Sequence, residues 1–275
     1  MELEPGIHQL TFGKQTSAGI APPNAFLVCG TDASLLLDTG WDNEADHHAR
    51  LAYIRDVGAP PLIELVMMHR HPDHAGGALR LHRDTGAPMS CHPLDLDAIE
   101  QTQLRGQAKV ARLLRGGETM DLGGVSLQVL HTPGHTAGCL AVFVPERGAL
   151  FTTDTVLGGS TTAIGDNGDL AQYLQSLDTL RGIGAKTIYP GHGDLVGDPE
   201  GYIGGLIEHR RHREAQLLDE LAHGARTATQ IADALYGEMT PPGRRRLADA
   251  QVRSGLRKLI GEGKVRAVED GYAKA

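Results

Sequence analysis

Aromatic side chains make up only 4% of the 275 residues, with a single Trp, and cysteines number three. Cys29, Cys91 and Cys139 stand far apart without a C-x-x-C pair, which excludes a disulfide framework and a thiolate zinc site. Long apolar runs are missing as well. "SLLLDTG" and "GCLAVFVP" fall far short of the roughly 20 residues that a membrane span needs. The opening "MELEPGIHQL" has no basic region followed by an apolar one. A soluble, cytoplasmic protein without a signal peptide or membrane association is the expectation. Neither an internal repeat nor a low-complexity segment is visible. The scarcity of aromatics also leaves little material for a platform on which RNA bases stack.

Hydrophobic content of 40% and charged content of 22% are ordinary for a folded chain of this length, enough for one large domain or one domain with an appendage. Fourteen histidines are many, and they direct attention to metal or proton chemistry. Charge is unevenly spread. Residues 224–275 hold ten Lys/Arg and an excess of positive charge, while the whole chain is formally −8, so the preceding part is strongly acidic. Such a tail can meet a polyanion, or can be a solvated helix face.

Up to about residue 200, short apolar strands alternate with Gly- and Pro-rich turns. Ile7 to Phe12, Phe26 to Cys29 and Leu35 to Leu37 read as an opening meander that ends at Asp38-Thr39-Gly40. A helix follows from about Glu44 to Val57, then the strand "LIELVMMH" and a helix closed by Gly86. "VSLQVLHTPGH" reads as a strand with a His-rich turn. "GCLAVFVPERGALFTTD" reads as a hairpin ending in Asp154, and "DLAQYLQSLDTLRGIG" as an amphipathic helix. "KTIYPGHG" is a last strand that delivers His192. Each candidate ligand therefore sits where a strand stops, the usual place for chemistry in α/β-type folds. Beyond Glu200 the order becomes long helix, helix, helix and a hairpin from Lys264 to Tyr272, which is the order of a winged helix.

The stretch "VMMHRHPDHAGGALRLH" crowds His69, His71, Asp73 and His74 into one turn. In a loop leaving a strand, residues two apart can point the same way. His69 and His71 can thus clasp one ion while Asp73 and His74 turn toward a second. Imidazole and carboxylate suit zinc, with iron or manganese as competitors. Further donors come from "HTPGHTAG" (His131 and His135), "FTTDT" (Asp154) and "YPGHGD" (His192), enough for two metals. His8, His47, His48, His82, His92 and His223 read as surface or local-structure residues. Cys139 and Ser160 lack an evident base partner, so neither reads as a nucleophile. Gly76 and Gly77 let the backbone leave the site, or simply start a helix.

The series H-x-H-x-D-H, H-T-P-G-H-T, an Asp after a strand, and G-H-G resembles the metallo-β-lactamase superfamily over residues 1 to about 200. The resemblance implies a four-layer αββα sandwich with a dinuclear site at one edge of the two sheets. It implies that His69, His71 and His135 hold one metal, that Asp73, His74 and His192 hold the other, and that Asp154 bridges both. Asp38 matches an acidic residue behind the site that orients a ligand, and His131 a structural position. A metal-bridged hydroxide is the implied nucleophile, positioned by Asp73 and Asp154 as catalytic residues.

Departures from the pattern narrow the branch. The commonest antibiotic-hydrolysing members resemble one another in a Cys where Asp154 stands and an Arg where His74 stands. Lactonases commonly have a Tyr where Leu157 stands. Glyoxalase II-like thioesterases share all seven ligands but follow them with a different helical domain, and large RNA-processing members carry insertions for which this spacing has no room. The whole-chain pattern, including "YIGGLIEHRRHREAQLL" and the tail, resembles the β-lactamase-like protein 2 group. That group includes a ribonuclease of single-stranded RNA, and related fungal proteins are polyketide thioesterases.

The expectation is accordingly a hydrolase using two Zn2+, with a metallo-β-lactamase-fold domain over 1–205, a linking helix over 206–223 and a winged-helix-like domain over 224–275. The basic tail, with Arg210, Arg211 and Arg213 before it, favours a single-stranded RNA endoribonuclease. Hydrolysis of a small-molecule thioester or ester is the alternative. A metal-sensing nucleic-acid-binding protein is a third reading, and a homodimer is one use for so small a tail.

Overall fold

A computed structural model describes residues 1–13, 21–237 and 242–275, of which 242–244 are described as backbone only. The first sheet has seven strands in chain order: β1 (Glu2–Glu4), β2 (Ile7–Thr11), β3 (Asn24–Cys29), β4 (Ser34–Leu37), β5 (Leu62–Val66), β6 (Met89–Cys91) and β7 (Arg112–Leu113). The chain runs antiparallel through β4 and parallel from β4 to β7. Parallel neighbours need crossovers. These are α1 (Glu44–Asp56), then α2 (Pro72–Ala75) with α3 (Ala78–Thr85), then α4 (Leu96–Ala98), which continues as a π-helical turn over Ile99–Gln103.

The second sheet has five strands, β8 (Thr119–Asp121), β9 (Ser126–His131), β10 (Leu140–Val144), β11 (Ala149–Thr153) and β12 (Thr187–Pro190), in the order β12-β11-β10-β9-β8. Only its β11–β12 pair is parallel, and α5 (Leu170–Arg181) makes that crossover.

Side-chain alternation explains why β4 reads as an unbroken apolar run. Leu35 and Leu37 face the second sheet, where they meet Val129, Val142 and Phe151. Leu36 turns the other way, toward Leu79, Leu81 and the partly buried Leu51 and Ile54 of the helices. A strand covered on both faces has no polar position to offer. On the far side, α5 and α6 (Pro199–Glu220) cover the second sheet through Tyr173, Leu177, Leu180, Ile203 and Ile207. The layers are therefore helix, sheet, sheet, helix, as expected for the αββα class.

The linking helix differs from its expected bounds of 206–223. It begins at Pro199, because Asp198 accepts a hydrogen bond from the Gly201 N–H and Pro199 occupies the first helical position, where its missing N–H costs nothing. The boundary placed at residue 205 thus falls inside α6. After it come α7 (Ala228–Tyr236), started by a Thr227/Gln230 capping box, α8 (Pro242–Gly261), and the hairpin of β13 (Val265–Val268) and β14 (Gly271–Lys274). Leu217, Leu221, Ile231, Val252, Leu256, Leu259 and Val265 form a core of their own. The expected turn between α7 and α8 includes residues 238–241, outside the described residues.

The basic charge of this tail is largely spent internally. Arg226 pairs with Glu220, Arg245 with Asp233, Arg253 and Arg257 with Asp166, and Lys258 and Lys264 with Glu262. Arg210 is buried against Tyr173, Arg213 lies over the Tyr236 ring, and Arg211 pairs with Glu208.

Of the histidines read as surface or local-structure residues, His8, His47 and His92 are buried, and His92 stacks ring on ring with the half-buried His131, with centroids 3.9 Å apart. The Leu94 N–H donates to His92 Nδ1, which requires that nitrogen to be unprotonated, and burial with the His131 ring beside it lowers the His92 pKa to about 4. An unfolded His titrates near about 6.5. Between these values the unfolded chain binds more protons than the folded one, so stability falls as pH falls through that window. Denaturation midpoints should drop between about pH 7 and about pH 5, and drop less in His92→Gln.

Candidate metal centre

The motif histidines are placed by how β5 ends. The strand stops at Val66, earlier than the "LIELVMMH" reading, and the buried Met67 and Met68 carry the chain to His69. The Met68 N–H donates to Asp38 Oδ1 at 2.9 Å, which ties this exit to the end of β4. His71 is extended and caps α2, whose first residue is Pro72, so Asp73 and His74 occupy consecutive helical positions and diverge. Gly77 then passes against the β4 exit: a Cβ there would lie 2.3 Å from the Thr39 carbonyl oxygen. The glycine pair is a packing requirement as well as a helix start.

His135 follows β9, Asp154 follows β11 and His192 follows β12. The structure brings all seven expected residues together. His69 Nε2 and His71 Nδ1 are 3.1 Å apart, and His135 Nε2 is 2.9 Å from His71 Nδ1. His74 Nε2 and His192 Nε2 are 3.1 Å apart, and His192 Nε2 is 3.3 Å from Asp73 Oδ2. Asp154 stands between the sets. Its Oδ2 lies 3.8 Å from His69 Nε2 and 3.5 Å from His135 Nε2, while its Oδ1 lies 3.3 Å from His74 Nε2 and 3.6 Å from His192 Nε2. Gly191 allows this, since a Cβ there would sit 2.5 Å from Asp154 Oδ1.

Hydrogen bonds from the far side of each ring decide which nitrogen faces inward. His74 Nδ1–H donates to Asp38 Oδ2 at 2.8 Å, His135 Nδ1–H to the Ala163 carbonyl at 2.8 Å, and His192 Nδ1–H to the Ala21 carbonyl at 2.7 Å. His69 Nδ1–H donates to Thr153 Oγ1 at 3.1 Å, and that hydroxyl donates to Asp38 Oδ2 at 2.7 Å. Four rings thus present an Nε2 lone pair to the cluster, the orientation that metal-ligating imidazoles adopt.

Whether this set fits divalent ions can be judged from its own atoms. Converging lone pairs repel unless a cation lies among them, and imidazole nitrogens around one tetrahedral zinc stand about 3.3 Å apart. His69, His71, His135 and Asp154 form one group whose donor atoms lie within 4.8 Å of one another, and Asp73, His74 and His192 form another. Asp154 Oδ1 is buried without a hydrogen-bond partner, a condition costly for a carboxylate unless it meets positive charge. The set fits.

Titration separates the carboxylates, His69 and His71 from His74 and His192. Burial pushes the Asp154 carboxyl up, but His74, His69 and His135 outweigh it and hold the pKa well below the usual range. Burial likewise opposes ionisation of Asp73, and His192 and His74 still lower its pKa. Burial holds the His71 pKa down to about 4, with His135 adding to the effect, and His69 is lowered by burial and by His74. His74 is raised against its burial by Asp154 and Asp38. His192 is likewise raised against its burial, by Asp73 and Asp154. Ionised carboxylates and neutral imidazoles are the forms that bind metals, so His74 and His192 would each release a proton as an ion enters.

A cavity of about 510 Å3 opens on these side chains and is lined further by Leu157 to Ala163 and by Leu247 of α8. Ser160 is on its wall, whereas Cys139 is buried with its thiol pushed up to about 12 and is no nucleophile. His131 stays out of the cluster and donates to the Ala137 carbonyl.

Three supporting residues have no part in the sequence reading. Thr153 holds φ +42°, rare for a β-branched residue, and Asp38 holds φ +60°, so strain gathers behind the cluster. The doubled Thr before Asp154 is the available signal for Thr153. Asp95, fully buried, accepts from Arg70 N and Thr136 Oγ1 and so joins the His71 loop to the His135 loop. Asn24 donates to the Pro190 and Gly193 carbonyls and fixes the turn around His192. Nothing in the sequence marks Asp95 or Asn24.

Comparison with known proteins places this geometry. Residues 18–192 match the family model described as the metallo-beta-lactamase superfamily. The chain is 28% identical to a beta-lactamase-like protein 2 homolog of Drosophila melanogaster, over 97% of this chain and 94% of that one. It is 26% identical to an atrochrysone carboxyl ACP thioesterase of Aspergillus fumigatus, over 86% of this chain and 75% of the relative. A metallo-beta-lactamase family protein from Thermus thermophilus superposes over the full length of both chains with a TM-score of 0.82 at 24% identity. With the family model spanning more than half its length and its fold shared end to end, the chain is a hydrolase of the metallo-beta-lactamase superfamily.

Proposed function

We propose that the protein hydrolyses acyl thioesters at a dinuclear centre, with His69, His71, His135 and Asp154 around one ion and Asp73, His74, His192 and Asp154 around the other. Members of the superfamily typically bind divalent metals, and zinc suits this nitrogen-rich set best, with iron and manganese as competitors. The observation that carries the substrate class is the cavity wall. Outside the cluster its described lining is Ala, Leu, Gly, Ser and Thr, with no Lys or Arg. Phosphodiester recognition relies on cations, whereas an acyl chain needs an apolar wall. The internal pairing of the tail's Lys and Arg removes much of the sequence argument for RNA. Fungal relatives named as ACP thioesterases support the same reading.

Divalent ions held by these residues would supply Lewis acidity, making a water more acidic and the acyl carbonyl more electrophilic. The chain's own groups do the rest. Asp73, ionised and facing the cavity, accepts the proton of the attacking water. The new C–O bond forms as the C–S bond breaks. A thiol of pKa about 8.5 departs as thiolate and requires no strong general acid. Asp38 positions the His74 ring and Thr153 the His69 ring. A division into a catalytic domain, a linking helix that starts at Pro199 in place of residue 206, and a winged-helix-like unit over 224–275 belongs to the same proposal, supported by the separate core around Leu256.

Asp38→Asn should keep the fold yet lower metal affinity about 10- to 100-fold in competition with a chromophoric chelator. With its carbonyl oxygen retained on the Met68 N–H, the new amide group would confront two donors, His74 Nδ1–H and the Thr153 hydroxyl. To test substrate class, zinc-loaded protein is given an acyl thioester of N-acetylcysteamine and, in parallel, a quenched single-stranded RNA. Thiol release that chelator and Asp73→Asn both abolish is expected. RNA cleavage with those same sensitivities, and no thiol release, overturns the thioester reading for the phosphodiester one.

A further inference from the structure

We propose that helix α8 is a wall of the substrate cleft, with Leu247 dividing an arm for the acyl chain from an arm for a polar, amide-bearing thiol carrier. This inference rests on the thioester reading. Beside the cavity already described lies a second, of about 400 Å3. The two share His71, His135, Ala163 and Leu247. The first continues along Leu157 to Thr162. The second continues along Arg70, Thr102, Gln103 and Asn167, whose guanidinium, hydroxyl and amides suit amide groups. A thioester carbonyl held at the cluster has its acyl half and its thiol half on opposite sides. Two arms of unlike polarity meeting at His71 and His135 match that division.

Leu247 and Ile260 are the exposed large apolar residues of this helix among the described residues, and of the two Leu247 stands beside the cluster. Val252, Leu256 and Leu259 turn into the C-terminal core, whereas Leu247 is 39% exposed and stands in both cavities. An exposed leucine costs little anywhere; its meaning here comes from its position beside the cluster and from how firmly the helix is held. Arg253 makes two hydrogen bonds to Asp166, at 2.8 and 2.6 Å, and Arg257 donates to the carbonyls of Gly165, Asp166 and Gly168. From α6, Arg210 donates to the Thr162 carbonyl and to Gln251 of α8. The clamped segment, 162–168, contains the Ala163 carbonyl that orients His135. The C-terminal unit is thus fastened to the same loop that sets a candidate ligand and lines both arms. The polar arm is bounded by the π-helical turn, a device frequent at functional sites, and Gln103 there donates to the Arg70 carbonyl between His69 and His71.

The test compares acetyl and dodecanoyl thioesters of N-acetylcysteamine on wild-type, L247A, L247K and R253A proteins, with kcat and KM resolved and metal content measured. Wild type should favour the longer chain. In L247A and L247K the long-to-short ratio of kcat/KM should fall about tenfold or more, mainly through KM, with bound metal unchanged. R253A, a change outside both cavities, should move the ratio the same way by a smaller factor. If wild type turns over both thioesters and the ratio in L247A and L247K stays within about twofold of wild type, the role of Leu247 is wrong and the thioester reading stands. If wild type releases thiol from neither, the thioester reading fails and this inference fails with it.

Discussion

Replacing Asp154 by Ala should abolish hydrolysis and strip the centre of metal, with turnover lowered at least about 10^4-fold, or about 5.5 kcal/mol of barrier. The Asp154 carboxylate faces both sets of donors: Oδ2 lies toward His69 and His135, and Oδ1 toward His74 and His192. Without it, three imidazoles remain around one position, and His74, His192 and Asp73 around the other. Two like charges would then sit close together with no anion between them. Loss of the carboxylate also leaves Asp38 and Asp73 to balance His74, so the His74 pKa should fall toward that of an ordinary buried imidazole. Native mass spectrometry of the variant after zinc loading should find fewer than two ions per chain. Retention of two ions and of turnover would remove Asp154 from the centre.

Asp73→Asn should separate chemistry from folding. The residue sits on the cavity wall, and its partner in the cluster is His192, at 3.3 Å. Asn fills the same space and can still accept through its carbonyl oxygen, so the fold and the His69–His71–His135–Asp154 group should persist. The charge and the proton acceptor are lost. Turnover should therefore fall about 10^3-fold or more, through loss of the proton acceptor and of one candidate ligand to the second ion. Circular dichroism and thermal midpoint should match the parent. Near-normal turnover would show that proton acceptance lies elsewhere.

How much of this is legible depends on the kind of signal. Strands covered on both faces, such as "SLLL" and "LAVFV", announce themselves as apolar runs, and helix ends carry their own marks in Asp169, Gly86 and the Thr227 capping box. Four of the seven candidate ligands cluster in sequence because one turn presents several donors at once, and His135, Asp154 and His192 each stand just after a strand, so the candidate set is legible. The start of α6 is read too late when its apolar periodicity is followed, because that periodicity begins after the Asp198-Pro199 start signal. Asp95 and Asn24 are invisible for another reason. Their partners, Thr136 and Pro190, lie 41 and 166 residues away, and only the packed sheets bring them near. Pairing of the tail's charge is hidden in the same way: Arg253 and Asp166 are 87 residues apart, and composition cannot show that they meet.

Thiol release against metal loading tests the central claim most directly. Metal-free protein is titrated with zinc from zero to about three equivalents while hydrolysis of a dodecanoyl thioester is followed with a thiol reagent. Cys139 and Cys91, both buried with thiols raised to about 12, should add little background. The expected curve rises steeply up to the second equivalent, levels there, and returns to zero with chelator. Activity that is complete at one equivalent, or that persists in metal-free protein, contradicts a dinuclear centre built on these seven residues.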